Sequence, residues 1–154
     1  MTKFGVNEII GSFRTEFATA SLLSVCLNKE ALASGLCETK LVSYLLDQQT
    51  ICLRDLPKKS HTTFHHDEII DFLEINNRGT AIAFRDKKGG LFLYNVQSQQ
   101  KTTFSSSCGY VQWVPGSDVL VAQNEDRICI WYNIRAPDQV CSLDSIKHVI
   151  TIIT

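Results

Sequence analysis

The stretch NNRGTAIAFRDKKGGLFLYNV, residues 76–96, decides the fold because VPGSDVLVAQNEDRICIWYNI, residues 114–134, repeats its pattern. Each stretch holds two short apolar runs separated by a turn that contains Asp or Asn. Runs rich in β-branched and aromatic residues predict strands, and the Gly, Asn and Asp residues between them predict tight hairpins. The pattern therefore predicts consecutive antiparallel β-hairpins.

The spacing of the matching residues gives the length of the repeated unit. The matches lie 37 to 40 residues apart: Gly79 with Gly116, Asp86 with Asn124, Tyr94-Asn95 with Tyr132-Asn133, Asp47 with Asp86, and Arg54-Asp55 with Tyr94-Asn95. A period near forty with four strands per unit is typical of a β-propeller blade. The weak fourth strands are predicted near residues 101–104 and 139–143.

We therefore predict an all-β fold, a partial WD40-like β-propeller of about three four-stranded antiparallel blades with flanking half-blade strands. The predicted blades span about residues 22–64, 67–104 and 108–143, and the flanking strands span 11–17 and 147–153. The run KEALASGL, residues 29–36, is predicted to be a loop insertion in the first blade. Because a ring needs four or more blades, residues 1–154 are expected to be a piece of a larger propeller that needs further blades.

Composition excludes several classes of protein. With 15 basic and 16 acidic residues the net charge is −1, which predicts no nucleic-acid partner. No apolar run approaches the roughly 18 residues of a transmembrane helix, so no transmembrane segment is expected. The cysteines form no CxxC pair and no signal peptide is recognisable, so reduced, mostly buried thiols in the cytoplasm are expected. They are Cys26, Cys37, Cys52, Cys108, Cys129 and Cys141.

HTTFHHDE, residues 61–68, is the strongest candidate for a chemical site. His61 and His65 are four residues apart, which on a helix could begin a zinc site. The β-branched residues between them favour an extended segment, and a solvated loop between blades is the preferred interpretation. In WD-type repeats this loop often carries a histidine that bonds within its blade, and His66 is the candidate for that structural role.

Other chemical motifs are missing from the sequence. There is no G-x-S-x-G elbow and no phosphate-binding glycine loop. Asp67 and Glu68 are adjacent, so in a strand they would point to opposite faces. We therefore predict no enzyme, no catalytic, cofactor-binding or metal-binding residue and no cofactor, while the partner-binding residues remain unknown. Ser105–Ser107 are predicted to link two blades, and Lys58-Lys59 and Lys87-Lys88 to form charged turns.

The two tryptophans lie inside predicted strands. Trp131 is expected to fill the core between blades. For Trp113, which precedes Pro115-Gly116, a contact with a partner is an alternative to core packing.

The run VQWVPGSDVLVAQNEDRICIWYNIRAPDQV, residues 111–140, resembles part of the second WD-repeat propeller of the intraflagellar transport protein 172 family. The resemblance extends in order through residues 7–17, 22–28, 40–51, 66–98 and 147–150. Residues 28–39 and 56–66 diverge, and the WD dipeptide is replaced by Arg54-Asp55, Tyr94-Asn95 and Tyr132-Asn133.

The resemblance implies a function that composition does not give. Members of this family are subunits of intraflagellar transport complex B, so it implies a non-catalytic interaction scaffold segment for cilium assembly and ciliary transport. The implied partners are other complex B subunits, and the implied location is the cilium, the ciliary base and the cytoplasm. The alternative is a generic WD-repeat adaptor, of the vesicle-coat or ubiquitin-ligase receptor type, unrelated to cilia.

Overall fold

The structure, a computed structural model, describes residues 22–27 and 40–143, and of Cys26 and Leu27 it describes the backbone alone. No helix in this part of the chain is long and apolar enough to cross a membrane. The described residues form twelve β-strands: β1 (Leu23–Leu27), β2 (Lys40–Leu45), β3 (Thr50–Asp55), β4 (Ser60–His65), β5 (Ile70–Ile75), β6 (Ala81–Asp86), β7 (Leu91–Asn95), β8 (Gln100–Ser105), β9 (Tyr110–Trp113), β10 (Leu120–Asn124), β11 (Arg127–Trp131) and β12 (Cys141–Leu143).

The strands form three antiparallel sheets of four, and each strand pairs with its neighbour in the sequence. The first sheet contains β1–β4, the second β5–β8 and the third β9–β12. This arrangement confirms the predicted all-β class and its four-stranded units. The predicted strands at 11–17 and 147–153 and the loop at 29–36 lie outside the described residues.

Two apolar layers between neighbouring sheets form the core. Because side chains alternate along a strand, β6 contributes to both layers. Ile82 and Phe84 pack with residues of the first sheet, whereas Ala81 and Ala83 pack with residues of the third sheet. The second sheet is therefore covered on both faces, which explains why AIAF in β6 is a continuous apolar run. The last strand of each sheet is mostly exposed, which explains the weak apolar pattern of the fourth strands.

The repeated polar residues of the sequence act in turns. Gly79 and Gly116 both have φ of 71°, a left-handed conformation that glycine adopts without steric cost. At the end of the third strand of each sheet, a side-chain oxygen accepts a hydrogen bond from a backbone N–H two or three residues later. These bonds join Asp55 to Lys58 (3.2 Å), Asn95 to Gln97 (3.0 Å) and Asn133 to Arg135 (3.0 Å).

The match of Tyr94 with Tyr132, made from the sequence, is wrong by one position. In the second sheet Ile82 pairs with Tyr94, and in the third sheet Leu120 pairs with Trp131. The β10–β11 hairpin is one residue shorter than the β6–β7 hairpin, so Trp131 takes the position of Tyr94. Tyr132 is 67% exposed, whereas Tyr94 is 5% exposed.

The match of Asp47 with Asp86 is also wrong by one position. Leu46 N donates to Thr50 O as Asp86 N donates to Gly90 O, so Leu46 occupies the place of Asp86. Asp47 is exposed and holds its own turn instead, through a 2.8 Å bond from Gln49 N. Spacing alone cannot resolve one-residue differences in hairpin length.

Candidate interaction site

His66 and Asp86 form a buried polar pair in the second sheet. The His66 Nε2 atom lies 3.0 Å from Asp86 Oδ2, and each side chain is 5% exposed. The other carboxylate oxygen accepts backbone N–H bonds from Lys88 at 3.0 Å and Gly90 at 2.8 Å. The predicted structural role of His66 is confirmed, since its partner holds the turn between β6 and β7.

An equivalent polar pair, which joins the end of β8 in the second sheet to the end of β10 in the third, was missed in the sequence. Asn124 Nδ2 donates to Ser105 Oγ at 2.8 Å, and Asn124 follows Asp86 by 38 residues. Ser105 follows His66 by 39 residues, so the repeat spacing was the signal that could have identified it. Ser105 therefore does more than link two blades.

The extended segment predicted around His61 and His65 is confirmed, but it is a strand and the predicted loop is wrong there. Both residues lie in β4, where His61 pairs with Arg54 and His65 with Thr50. Both imidazoles are on the exposed outer strand, and His65 Nδ1 lies 3.2 Å from Thr50 Oγ1. No group of three or more His, Cys, Asp or Glu residues that could hold a metal occurs within 22–27 and 40–143.

The two lysine pairs lie in turns, as predicted. Lys58 and Lys59 fall between β3 and β4, and Lys87 and Lys88 between β6 and β7. Lys58 Nζ lies 3.4 Å from Asp55 Oδ2, and Lys88 forms an ion pair with Glu68. The ammonium groups of Lys58 and Lys88 thus have carboxylate partners within the protein.

Both tryptophans are buried between the second and third sheets. Trp131 is 2% exposed and Trp113 is 5% exposed. The indole N–H of Trp131 donates to Pro137 O at 3.1 Å, and that of Trp113 donates to Glu74 O at 3.1 Å. Core packing is confirmed for Trp131. Trp113 packs in the same way, so core packing describes most of its ring as well.

Four cysteines whose side chains the structure describes are free thiols. Cys52, Cys108 and Cys129 are buried, whereas Cys141 is exposed on β12. Burial raises the pKa of the Cys108 and Cys129 thiols, which keeps them protonated and unreactive. The expected burial is confirmed for these three residues and wrong for Cys141, because β12 is an outer strand.

The face of the third sheet that points away from the second sheet is an apolar surface. Val121 lies opposite Ile130, and Ile128 lies opposite Leu143, so their side chains share this face. Tyr110 and Leu143 remain 51% and 43% exposed. Surfaces of this kind mark interaction sites in soluble proteins. The surface, called here the open face, consists of Tyr110, Gln112, Val114, Pro115, Val121, Gln123, Ile128, Ile130 and Leu143.

Comparison with known proteins relates all three sheets to one group of relatives. The chain is 47% identical over 141 residues to the intraflagellar transport protein 172 homolog of Danio rerio. It is 44% identical over 148 residues to the Mus musculus homolog and 41% identical over 144 residues to the Chlamydomonas reinhardtii protein. These alignments cover 91%, 96% and 91% of this chain. Nearly the whole chain is similar to a segment of the intraflagellar transport protein 172 relatives.

The chain spans 8% of the length of these intraflagellar transport protein 172 relatives. No family model matches the sequence. Among solved structures, a chain in the crystal structure of the mitotic checkpoint complex aligns over 94% of this chain and 48% of its own length. The TM-score is 0.56 at 13% identity, a likeness of fold alone. The resemblance found in the sequence is confirmed, and the fold likeness agrees with a partial propeller.

Proposed function

We propose that this chain is a non-catalytic interaction scaffold segment of an intraflagellar transport complex B subunit, acting in cilium assembly and ciliary transport. The observation that carries this proposal is the 35% to 47% identity to intraflagellar transport protein 172 relatives from nematode to fish. That identity extends across the three sheets. The proposed partners are other complex B subunits, and the proposed location is the cilium, the ciliary base and the cytoplasm.

The non-catalytic part of the proposal is supported by how the polar side chains are used. The pairs His66–Asp86 and Asn124–Ser105 bond within or between elements of the fold. Catalytic groups in contrast must face a cavity where substrate can reach them. We propose that the polar pairs fix the sheets so that the faces and turns can act as rigid contact surfaces.

We further propose that residues 1–154 belong to a larger WD-repeat propeller, the second one of the full-length relatives. Its blades would span about 22–64, 67–104 and 108–143, with the flanking strands at 11–17 and 147–153 belonging to adjacent blades. The open face supports this, because in each pair of neighbouring sheets such an apolar face is covered. Further blades from the full-length protein would cover it.

The test is affinity capture of complex B subunits by the tagged 154-residue chain from an extract of ciliated cells. Enrichment of complex B subunits is expected. The recovery of complex B subunits is also measured with the Ile130→Glu variant, which places a charge on the open face. Thr103→Glu, on the exposed strand β8, serves as its matched control.

Equal recovery of complex B subunits by the chain and by an unrelated tagged propeller would overturn the proposal. Removal of the full-length protein in ciliated cells gives the second measurement. Loss of cilia is expected, whereas intact cilia would favour the alternative of a WD-repeat adaptor unrelated to cilia.

A further inference from the structure

We propose that a pocket at the inner strands binds a basic side chain of a partner polypeptide, with the Glu74 carboxylate as its counter-ion. The pocket, called here the inner-strand pocket, has a volume of about 460 Å³. It lies where β1, β5 and β9, the first strands of the three sheets, come together. Its walls include Val25, Glu74, Gln112, Trp113 and Pro115.

Glu74 is the acidic residue of this pocket, and within the described chain its carboxylate has no hydrogen-bond or ion-pair partner. Burial raises the pKa of Glu74 above its ordinary value of 4.5, because desolvation disfavours the charged form. The corresponding positions, opposite β2 and β10, hold Ser24 and Gln112, which are uncharged. Only the second sheet therefore has a charged residue at this position, so the charge is not part of the repeated pattern.

The other polar groups around the pocket have partners of their own. Ser117 Oγ donates to Val114 O at 2.9 Å, and the Tyr110 hydroxyl donates to Gln112 Oε1 at 2.8 Å. Arg78, the basic residue of the adjoining turn, has its Nε 3.1 Å from Asp118 Oδ2 and does not line the pocket. No lysine or arginine among the lining residues balances Glu74.

The apolar walls of the pocket fit the aliphatic part of a basic side chain. Val25 and Val114 are 53% and 38% exposed, and Pro115 lies beside them. Lysine and arginine carry methylene groups that pack on such surfaces while the charged end reaches an acid. A divalent cation would need several oxygen ligands, and the pocket offers one carboxylate. A charged side chain therefore fits this site better than a metal ion.

Trp113 provides a built-in reporter for this site. Its indole N–H donates to the backbone oxygen of Glu74 at 3.1 Å, and the sequence contains two tryptophans. The indole signals of the ¹⁵N-labelled full chain can therefore be assigned with Trp131→Phe. The probes are the capped tripeptides Ac-Ala-Arg-Ala-NH₂, Ac-Ala-Lys-Ala-NH₂ and Ac-Ala-citrulline-Ala-NH₂, the last being a neutral analogue of arginine.

The arginine and lysine peptides are expected to shift the Trp113 indole signal saturably at pH 7. The citrulline peptide should bind at least tenfold more weakly. Glu74→Gln should remove the preference for the charged peptides, whereas Glu125→Gln, in the exposed β10–β11 turn, should retain it. Should Glu74→Gln not fold, acidification of the unmodified chain below the pKa of Glu74 should likewise remove the preference.

Equal shifts with arginine and citrulline, an unchanged preference in Glu74→Gln, or no shift with any peptide would overturn the site. The site would serve the proposed scaffold, on which its biological meaning rests. The two tests fail separately, however. A chain that captures complex B subunits without preferring the charged peptides would remove this site and leave the scaffold in place.

Discussion

The imidazole Nε2 of His66 lies 3.0 Å from the Oδ2 of Asp86, and this contact joins the link before β5 to the turn after β6. The ring of His66 also packs against Phe84 and Phe92, with ring centroids 5.2 and 4.6 Å away. One polar contact thus fixes the edge of the second sheet inside an aromatic cluster.

Asp86→Ala is expected to lower the free energy of unfolding by about 3–5 kcal/mol, because it leaves the buried Nε2 atom of His66 without its partner and removes two turn bonds. Urea denaturation of the full chain measures the change. Asp47→Ala is the matched control, since Asp47 also accepts a turn bond, from Gln49 N at 2.8 Å, but is exposed. A cost equal to that of the control would contradict the role assigned to the pair.

Asn76 connects the second and third sheets. Its Oδ1 accepts bonds from Thr80 N and Ala81 N, and its Nδ2 donates to Asp118 Oδ1 at 2.8 Å. Asn76→Ala should cost about 2–4 kcal/mol, since several buried groups lose their partners together. Asp118→Ala keeps the turn bonds of Asn76 and removes its contact to Asp118 together with the exposed ion pair between Asp118 and Arg78, so it should cost less. Thermal melts monitored by circular dichroism give both values, and the reverse order would contradict the assignment.

Two isoleucines provide a comparison between a covered face and the open face. Ile82 is fully buried between the first and second sheets, whereas Ile130 lies half-buried on the open face. Ile82→Ala should cost about 2–5 kcal/mol and Ile130→Ala about 1 kcal/mol or less, because only the first leaves a closed cavity. Urea denaturation separates them. Similar costs would show that the open face is covered in the isolated chain.

Glu74→Gln should stabilise the chain at neutral pH. The raised pKa of Glu74 means that its contribution to stability is complete below the ordinary value of 4.5 and is lost as the pH rises through the folded-state value. The glutamine variant lacks this loss, so its advantage should grow from pH 4 to pH 7. Unfolding free energies measured at several pH values check the slope, and a destabilised variant at pH 7 would contradict it.

Gln99 adopts a left-handed conformation, with φ of 57°, in the turn between β7 and β8. Gln99→Gly should raise the free energy of unfolding by about 0.5 kcal/mol, because relief of strain exceeds the entropy that glycine loses on folding. Gln97→Gly in the same turn has no such strain to relieve and should destabilise the chain slightly. Equal effects of the two substitutions in thermal melts would refute the explanation.

Strand positions were predictable from the sequence because each strand carries its own signal. The runs beginning at Lys40, Thr50 and Leu91 match β2, β3 and β7 to within two residues at either end. Apolar runs of four to eight residues and glycine turns are local properties, so no knowledge of packing is needed. Hairpin length, by contrast, was not predicted. The β10–β11 hairpin is one residue shorter than the β6–β7 hairpin, and a one-residue difference reverses the face that a side chain occupies, so Tyr132 lies outside the core.

The sequence also indicated His66, because a histidine in the link between sheets has a turn acid within reach in such repeats. It did not indicate Ser105, whose hydroxyl became a partner of Asn124 only when the β8 end and the β10 end met. Glu74 had no sequence signal at all. A single glutamate in a strand is common, and its isolation follows from which side chains surround it.

The period near forty and the alternation of apolar runs with turns determined the fold class, and the run at residues 111–140 carried the family resemblance, because these are properties of the order of residues along the chain. The tertiary structure alone decided which polar groups are paired, which apolar face stays uncovered and which carboxylate lacks a counter-ion. Those properties depend on distances between residues that are 20 to 51 positions apart in sequence, and pairing, desolvation and burial are set by such distances.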